Sequence, residues 1–230
     1  MTTNNRKPTY LEALKERVLI FDGAMGTSID TFNLTAEDFG GARTEGNRDY
    51  LVITRPDLIE QIHASFMDAG CDVLETDTFQ ATRLRLDEWG LADRTADINR
   101  AAAQLARKVA DRYEAQDGRP RYVCGSLGPT GKLPSSDDPA LSDVTFDQLS
   151  ETFREQAVAL IEGGADVLLV EKLSQTIEDP WIDTINRHTK GRERDFAADS
   201  LPSNIKHRSM PPVRGELERR ARRERVPESR

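Results

Sequence analysis

The sequence is organised around one stretch, Val18-Leu-Ile-Phe-Asp-Gly-Ala-Met-Gly-Thr27. Its first four residues are apolar and run directly into Asp22 and a turn that contains two glycines. A short apolar run that ends at glycine is typical of a strand buried on both faces of a parallel sheet. Because parallel α/β folds place their chemistry at the carboxyl ends of the strands, Asp22 is a candidate site residue.

The turn after Asp22 also suits a small zwitterionic ligand. Glycines let backbone N–H groups approach a ligand closely, so the turn can offer amides to a carboxylate. The side chain of Asp22 can accept hydrogen bonds from an ammonium group at the same time. The stretch therefore allows an amino-acid site, and the alternative is that Asp22 only caps the backbone of a turn.

Working outward, the same alternation of helix and strand recurs along the chain. Helices are predicted at 9–16, from 54 to 69, at 95–113 and from Thr145, where Gln148 completes a capping box. Strands are predicted at 71–76, 122–126 and 166–171, and residues 50–53 are a short strand or a packed loop. The connection at 27–54 has the length of a binding loop.

This alternation indicates a parallel sheet, either in a (β/α)8 barrel or in a doubly wound sheet. The G-x-G-x-x-G and G-x-x-x-x-G-K-[ST] patterns do not occur in the sequence. Their absence disfavours the nucleotide-binding folds.

Composition divides the chain of 230 residues into two parts at about residue 180. The first 180 residues carry 19 Lys and Arg against 32 Asp and Glu, whereas residues 181–230 carry 13 against 8. An acidic body argues against nucleic acid as a partner. The Arg-rich part has few apolar residues, so we predict a disordered tail; the alternative is a tail that binds RNA or an anionic surface.

The sequence shows no secretory leader pattern and no apolar run of membrane-spanning length, so we expect a cytoplasmic protein without a membrane partner. The two cysteines, Cys71 and Cys124, form no metal-binding spacing.

Five motifs carry a resemblance to a known family. In chain order they are Asp22-Gly-Ala-Met-Gly-Thr27, Tyr50-Leu-Val-Ile-Thr-Arg-Pro-Asp-Leu-Ile59, Ala69-Gly-Cys-Asp-Val-Leu-Glu-Thr-Asp-Thr-Phe79, Gly125-Ser-Leu-Gly-Pro-Thr130 and Glu162-Gly-Gly-Ala-Asp-Val-Leu-Leu-Val-Glu171. Over residues 10–180 the chain resembles the homocysteine S-methyltransferases. The resemblance is strongest to the homocysteine-binding domain of cobalamin-dependent methionine synthases.

The resemblance implies a (β/α)8 barrel that binds homocysteine. It implies a zinc ion held by three cysteine thiolates, which keeps the substrate sulfur ionised, and methylcobalamin as the methyl donor. In the full-length family, cobalamin and folate modules accompany the domain.

The resemblance also implies the site residues. Asp22 and Glu171 would hold the amino-acid end of homocysteine, with the amides of Gly23 and Ala24 beside Asp22. The motif Thr76-Asp77-Thr78 would line the site, although the family commonly has Asn where this chain has Asp77. The alternative for Glu171 is an acid in a salt bridge at the barrel rim. Gly125 and Gly128 are expected to form turns.

The zinc ligands are where the chain departs from the family. The zinc cysteines of the family lie on later strands, and this sequence has no such motif. Cys71 and Cys124 are expected to be small buried residues, and a site made from both cysteines and His63 is not expected.

We therefore predict the first half of a barrel, from a truncated or frame-shifted gene, with little turnover. The alternatives are an inert half-barrel that aggregates or pairs with another chain, and an unrelated lyase that uses Asp22 and Glu171 as acid and base.

Overall fold

The computed structural model describes residues 6–132 and 144–171. The predicted tail at 181–230, with His188 and His207, lies outside this part of the chain. The helices are α1 Tyr10–Glu16, α2 Met25–Ile29, α3 Leu51–Thr54, α4 Pro56–Asp68, α5 Arg83–Asp87, α6 Thr95–Asp117 and α7 Phe146–Gly163. The strands are β1 Val73–Glu75, β2 Tyr122–Leu127 and β3 Val167–Val170, and 3₁₀ turns form at Arg48–Tyr50 and Ala92–Arg94.

The three strands form one parallel sheet in the order β1-β2-β3. Glu75 of β1 lies opposite Cys124 of β2, and Ser126 of β2 lies opposite Leu169 of β3. Helix α4 lies between the segment at 18–21 and β1 in the chain, α6 lies between β1 and β2, and α7 leads into β3. The prediction of an α/β fold with parallel strands is confirmed.

The predicted first strand at 18–21 is only partly present. Phe21 makes a single parallel bridge to Val73, and the amides of Asp72 and Val73 donate to the carbonyl of Ile20. The prediction that this strand is buried on both faces is wrong, because Val18 is 82% exposed and Ile20 is 59% exposed. Leu19 and Phe21 pack on one side, while the alternate side chains project away from that packing.

A network around Asp72 holds this segment against β1. The side chain of Asp72 is 1% exposed. It accepts two hydrogen bonds from Arg17, at 2.7 and 2.8 Å, and one from Arg119 at 3.0 Å. It also accepts the backbone N–H of Ile20 at 3.0 Å. The segment therefore keeps a fixed register that leads directly to Asp22.

The predicted helix starts follow from their caps. Thr9 and Glu12 form a capping box at α1, and Thr145 and Gln148 form the predicted one at α7. Pro56 occupies the first turn of α4, where its missing N–H removes no helical hydrogen bond.

The prediction of a strand or loop at 50–53 is wrong, because these residues are helical. The side chain of Asn47 accepts the N–H of Tyr50 and so starts a 3₁₀ turn that continues into α3. Leu51 and Val52 then pack in the core.

The core lies between the sheet and the helices that cover it. Phe153 and Leu160 of α7 and Val109 of α6 are buried against β2, in one cluster with Leu127. Cys71 and Cys124 are buried and unpaired, as predicted. Across residues 6–132 and 144–171, no helix combines the length and the apolar character needed to span a membrane.

Candidate functional site

A cavity of about 420 Å³ opens where the segment after Phe21 and the end of β1 meet. Its walls are formed by Asp22, Gly23, Ala24, Met25, Gly26, Arg48, Asp49, Glu75, Thr76, Asp77, Phe79 and Gln80. Four of these side chains are carboxyls and one is a guanidinium, so the cavity is acidic. This composition favours a ligand that carries a positive charge.

The structure brings most of the predicted site residues to this cavity. Asp22, Gly23, Ala24, Thr76 and Asp77 all line it. Thr78 and Glu171 do not line it, although both are linked to Ser126, beside the end of β1. The proposed roles of these residues remain predictions.

Asp22 is fixed by two neighbours. Its Oδ1 accepts the backbone N–H of Glu75 at 2.9 Å, so one oxygen does cap backbone, as the alternative interpretation holds. Its Oδ2 lies 3.7 Å from Nδ1 of His63, which is fully buried. The side chain of Asp22 is 4% exposed and borders the cavity. One oxygen therefore positions the group, and the other remains for a stronger donor.

The turn after Asp22 has an unusual backbone. Ala24 has φ +47°, in the left-handed region that residues with a Cβ seldom adopt. In the described residues, no acceptor pairs with the N–H groups of Gly23 and Ala24. A Cβ at Gly23 would meet nothing within 4 Å, so the turn faces open space. The turn thus leaves two backbone donors next to a carboxyl group.

Thr76 and Thr78 connect the end of β1, which borders the cavity, to β2. Their hydroxyl oxygens are 2.7 Å apart, and Thr76 Oγ1 accepts the N–H of Ser126 at 3.0 Å. Thr78 donates to the carbonyl of Ser126 at 2.8 Å. Both threonines are buried, so these hydroxyl groups tie the end of β1 to β2.

Glu75 is a site residue that the sequence analysis missed. Burial raises its pKa, and the hydrogen bond to Glu171 with the charges of Glu171 and Asp22 brings this pKa to about 7. The hydroxyl of Ser126 donates to Oε1 of Glu171 at 2.7 Å. Within the described residues no salt bridge is formed by Glu171, and the partner of its carboxyl group is the hydroxyl group of Ser126.

Asp49 and Arg48 were also missed, because they lie in the long connection far from any strand end. Oδ1 of Asp49 accepts the N–H of Gln80 at 3.3 Å, and burial raises the pKa of Asp49 to about 6. Burial and the charge of Asp49 raise the pKa of Asp77 well above its usual value, against the opposing charge of Arg48. Oδ2 of Asp77 is buried and has no hydrogen-bond partner in the described part of the chain.

A zinc site does not fit the residues that the structure describes. No group of three or more His, Cys, Asp or Glu side chains within residues 6–132 and 144–171 is arranged to hold a metal ion. Burial raises the pKa of Cys71 to about 12 and also raises that of Cys124 well above its usual value. Neither cysteine is therefore poised as a thiolate ligand.

Comparison with known proteins places these observations in a family. A sequence model described as homocysteine S-methyltransferase matches residues 19–197. The oxidized form of the homocysteine methyltransferase MmuM from Escherichia coli is similar, with 25% identity and a TM-score of 0.54 over 67% of this chain and 53% of that one. The metallated form of MmuM has 23% identity and a TM-score of 0.61 over 77% of this chain and 62% of that one, which supports the fold. The chain thus spans less than two thirds of the length of these structures.

Proposed function

The chain belongs to the homocysteine S-methyltransferase family, and we propose that the cavity beside Asp22 binds the amino-acid end of homocysteine. The observation that carries the proposal is the arrangement of acids and backbone donors around one cavity. Asp22 and Glu75 border it, Glu171 accepts a hydrogen bond from Ser126 beside the end of β1, and the amides of Gly23 and Ala24, which have no acceptor among the described residues, lie beside Asp22.

The ammonium group of the ligand is assigned to the carboxyl groups. An ammonium has three N–H donors, and ionised carboxyl groups accept without donating. Charge-assisted hydrogen bonds of this kind are about twice as strong as neutral ones. Asp22 and Glu75, which border the cavity, therefore supply the strongest acceptors for it, and Glu171 is a predicted third acceptor that does not itself line the cavity.

The carboxylate of the ligand is assigned to the turn and its surroundings. The N–H groups of Gly23 and Ala24 can donate to it, and Arg48 supplies a positive charge at the same cavity. The left-handed conformation of Ala24 costs about 1 kcal/mol, and strained backbone of this kind is often found where a protein binds a ligand.

Methyl transfer is a separate question from binding. The family resemblance implies that zinc would keep the homocysteine thiol ionised and that methylcobalamin would supply the methyl group, and the motif at 50–59 favours this donor. The sequence has two cysteines where three are implied, and burial raises the pKa of both thiols. We therefore propose that these 230 residues bind homocysteine with little or no turnover by themselves. The cobalamin and folate modules of the full-length family remain proposed partners.

Calorimetry tests the binding proposal. Purified protein titrated with L-homocysteine and with L-methionine should show saturable binding of both, since both carry the same amino-acid end. Homocysteine incubated with the protein, zinc and methylcobalamin should give no methionine above the protein-free background. The absence of binding would refute the site, and zinc-dependent methionine formation would refute the lack of turnover.

A half-barrel that associates with a second chain is the other candidate, and one observation favours it. Val18 and Ile20 expose apolar side chains on the segment that pairs with β1. Exposed strand edges are templates for association. Light scattering after size exclusion should then show dimers or larger species, and the double variant Val18→Thr with Ile20→Thr should shift them toward monomer. A monodisperse monomer that binds methionine would reject this candidate.

A further inference from the structure

The side chain of His63 lies next to the acid at the cavity but is itself closed off from solvent. It belongs to α4, it is fully buried, and neither ring nitrogen has a hydrogen-bond partner among the described residues. Its Nδ1 faces Oδ2 of Asp22 at 3.7 Å. We propose that His63 is a positioning residue, whose Nδ1–H donates to Oδ2 of Asp22 when the ammonium group of an amino-acid ligand occupies the cavity. The inference rests on the proposed function, because it concerns how the same site holds the same ligand.

A buried imidazole without partners is costly for the fold. A neutral imidazole carries one N–H donor and one acceptor nitrogen, and both lose their water on burial. Buried polar groups in folded proteins are nearly always hydrogen-bonded, so each exception calls for an explanation. The other buried residues of α4, such as Ile59 and Ile62, are apolar. Stability therefore gives no reason for a histidine at this position, whereas a task at the site does.

The facing carboxyl group decides which ring nitrogen bears hydrogen. A carboxylate oxygen accepts hydrogen bonds, so a nitrogen that faces it is attracted only when that nitrogen carries a proton. Nδ1 is the nitrogen that faces Asp22, and the partner of a histidine ring fixes its tautomer. We therefore expect a proton on Nδ1 of His63.

The observed distance describes the site before a ligand is bound. At 3.7 Å the contact is longer than an N–H···O hydrogen bond, which spans about 2.7–3.2 Å. Oδ1 of Asp22 is held by the N–H of Glu75 at 2.9 Å, so the carboxyl group has a fixed pivot. The outer torsions of aspartate and histidine side chains are soft, so a small rotation of both brings Nδ1 and Oδ2 together. Hydrogen bonds at such sites are often long in the free protein and shorten in the complex.

The ligand gives the contact a reason to shorten. In a cavity open to solvent, water competes with His63 for Oδ2 of Asp22. A bound ligand displaces that water, and electrostatic contacts become stronger where water is excluded. A carboxylate offers about four acceptor positions, so Oδ2 can take one N–H from the ammonium and one from the imidazole. His63 then holds the acid in the orientation that the ammonium needs.

Helix α4 gives the histidine a rigid base. The hydroxyl of Tyr113 on α6 donates to the carbonyl of Ala64, the residue after His63, at 3.2 Å. Met67, one turn further along α4, is buried in the core beside the sheet. A side chain on a packed helix is placed more accurately than one on a loop.

Nitrogen NMR of the unaltered protein tests the position of the proton. The chain has three histidines, so the variants His188→Gln and His207→Gln identify the other two signals without altering α4. Long-range hydrogen–nitrogen correlation distinguishes a protonated ring nitrogen from a bare one. We expect His63 to carry hydrogen on Nδ1, and the signal of that hydrogen to move downfield when L-methionine is added.

Substitutions separate a hydrogen-bonding task from a task of shape. His63→Leu fills a similar volume without a donor, so methionine should bind about 3–10 times more weakly while the melting temperature does not fall. His63→Asn fills less space but offers an amide N–H in place of Nδ1–H, and it should bind methionine within about twofold of the unaltered protein. A task of shape predicts the reverse order. Gln61→Leu, at an exposed position of the same helix, is the matched control and should alter neither property.

A double variant shows whether His63 acts through Asp22. If it does, His63→Leu has nothing further to remove once the charge of Asp22 is gone. The double variant with Asp22→Asn should then bind methionine within about twofold of Asp22→Asn alone. A further loss of about 3–10-fold in the double variant would contradict this, because independent effects multiply.

The outcomes are distinguishable. A bare Nδ1, or an Nδ1–H signal that does not move while methionine binds, would overturn this inference and leave the proposed function intact. Unaltered methionine affinity in His63→Leu would do the same. The absence of methionine and homocysteine binding to the unaltered protein would overturn the proposed function and this inference with it. If the variants of His63 do not fold, the NMR measurement still decides, because it leaves His63 in place.

Discussion

The backbone N–H of Glu75 donates to Oδ1 of Asp22 at 2.9 Å, which joins the acid after the first apolar segment to the end of β1. The bond fixes the carboxyl of Asp22 by backbone and not by a mobile side chain. The second oxygen, 3.7 Å from Nδ1 of His63, is left with a weak partner. The two oxygens therefore have separate tasks, one in the fold and one at the cavity.

Two substitutions at Asp22 should separate these tasks. Asp22→Asn retains an oxygen for the N–H of Glu75 but removes the charge that an ammonium needs. A charge-assisted hydrogen bond contributes about 1.5–3 kcal/mol, so methionine should bind about 10–150 times more weakly with little change in melting temperature. Asp22→Ala should lose the same affinity and also destabilise the fold, because the amide of Glu75 is left unpaired.

Calorimetry and thermal unfolding together check this prediction. Asp111→Asn, at an exposed position of α6, is the matched control and should alter neither property. Unchanged methionine affinity in Asp22→Asn would show that Asp22 serves only to cap the backbone.

The network around Asp72 predicts a larger effect on stability than any exposed ion pair. Asp72→Asn removes the charge that Arg17 and Arg119 share and leaves both cations poorly paired. Because the arginines are partly exposed while Asp72 is buried, we expect a loss of about 3 kcal/mol in the free energy of unfolding. In a chain of this size that is about 6–12 °C in melting temperature.

The pH dependence of this loss has a defined sign. Burial raises the pKa of Asp72, but the hydrogen bonds from Arg17 and from the N–H of Ile20, with the charges of the arginines, together lower it by more. The net pKa therefore lies below its usual value. The stability that Asp72 adds is present above the unfolded pKa of about 3.9 and is lost as the pH falls through the lower folded value. Urea unfolding should show the full difference from Asp72→Asn at pH 7, and a difference that does not shrink below pH 4 would contradict it.

The sequence predicted the parts of the fold that depend on local chemistry. The capping boxes at Thr9 and Thr145 mark the starts of α1 and α7 because their hydrogen bonds are made within four residues. The first strand could not be predicted in this way. Whether Val18 and Ile20 are covered depends on what packs against them, and no periodicity within the run records that.

The same division holds for the site. Asp22, Thr76 and Asp77 could be placed together because parallel strands bring their carboxyl ends to one edge of a sheet. Asp49 reaches the cavity through a 3₁₀ turn in the long connection, so only the length of that connection hinted at a role. Glu75 is the last residue of β1, and nothing in the sequence distinguishes it from the rest of its motif, although its side chain borders the cavity.

We expect the substitution Asp77→Asn to stabilise the protein. Burial and the charge of Asp49 raise the pKa of Asp77 well above its usual value, so the folded state binds a proton that the unfolded state releases. The fold therefore loses stability as the pH rises above about 3.9, until the folded pKa is passed. Asp77→Asn replaces the acid with a neutral group of the same shape and should remove this loss.

Thermal unfolding at about pH 5 and pH 8 measures the effect. The gain from Asp77→Asn should be larger at pH 8, and each kcal/mol gained corresponds to about 2–4 °C. Glu162→Gln should shift the melting temperature equally at both pH values. A gain that is no larger at pH 8 than at pH 5 would mean that Asp77 is not protonated in the fold.

Two glycines at the ends of different segments should differ in how much stability they lose when a methyl group is added. A Cβ at Gly128 would lie 2.1 Å from the carbonyl oxygen of Phe79 and 2.7 Å from its ring, so the backbone itself would have to move. Overpacking of this kind costs about 1–3 kcal/mol, and a backbone contact belongs at the upper end of that range. We expect Gly128→Ala to lower the free energy of unfolding by about 3 kcal/mol.

Gly23→Ala is the matched comparison, because a Cβ there would meet nothing within 4 Å and the backbone has no positive φ. The fold should tolerate it within about 0.5 kcal/mol. Since Gly23 lines the cavity, the added methyl should act on the ligand, and calorimetry should show weaker methionine binding in this variant. Equal losses of stability in both variants would show that the turn at Gly23 serves the fold, whereas a loss of affinity confined to Gly23→Ala would place the ligand against that turn.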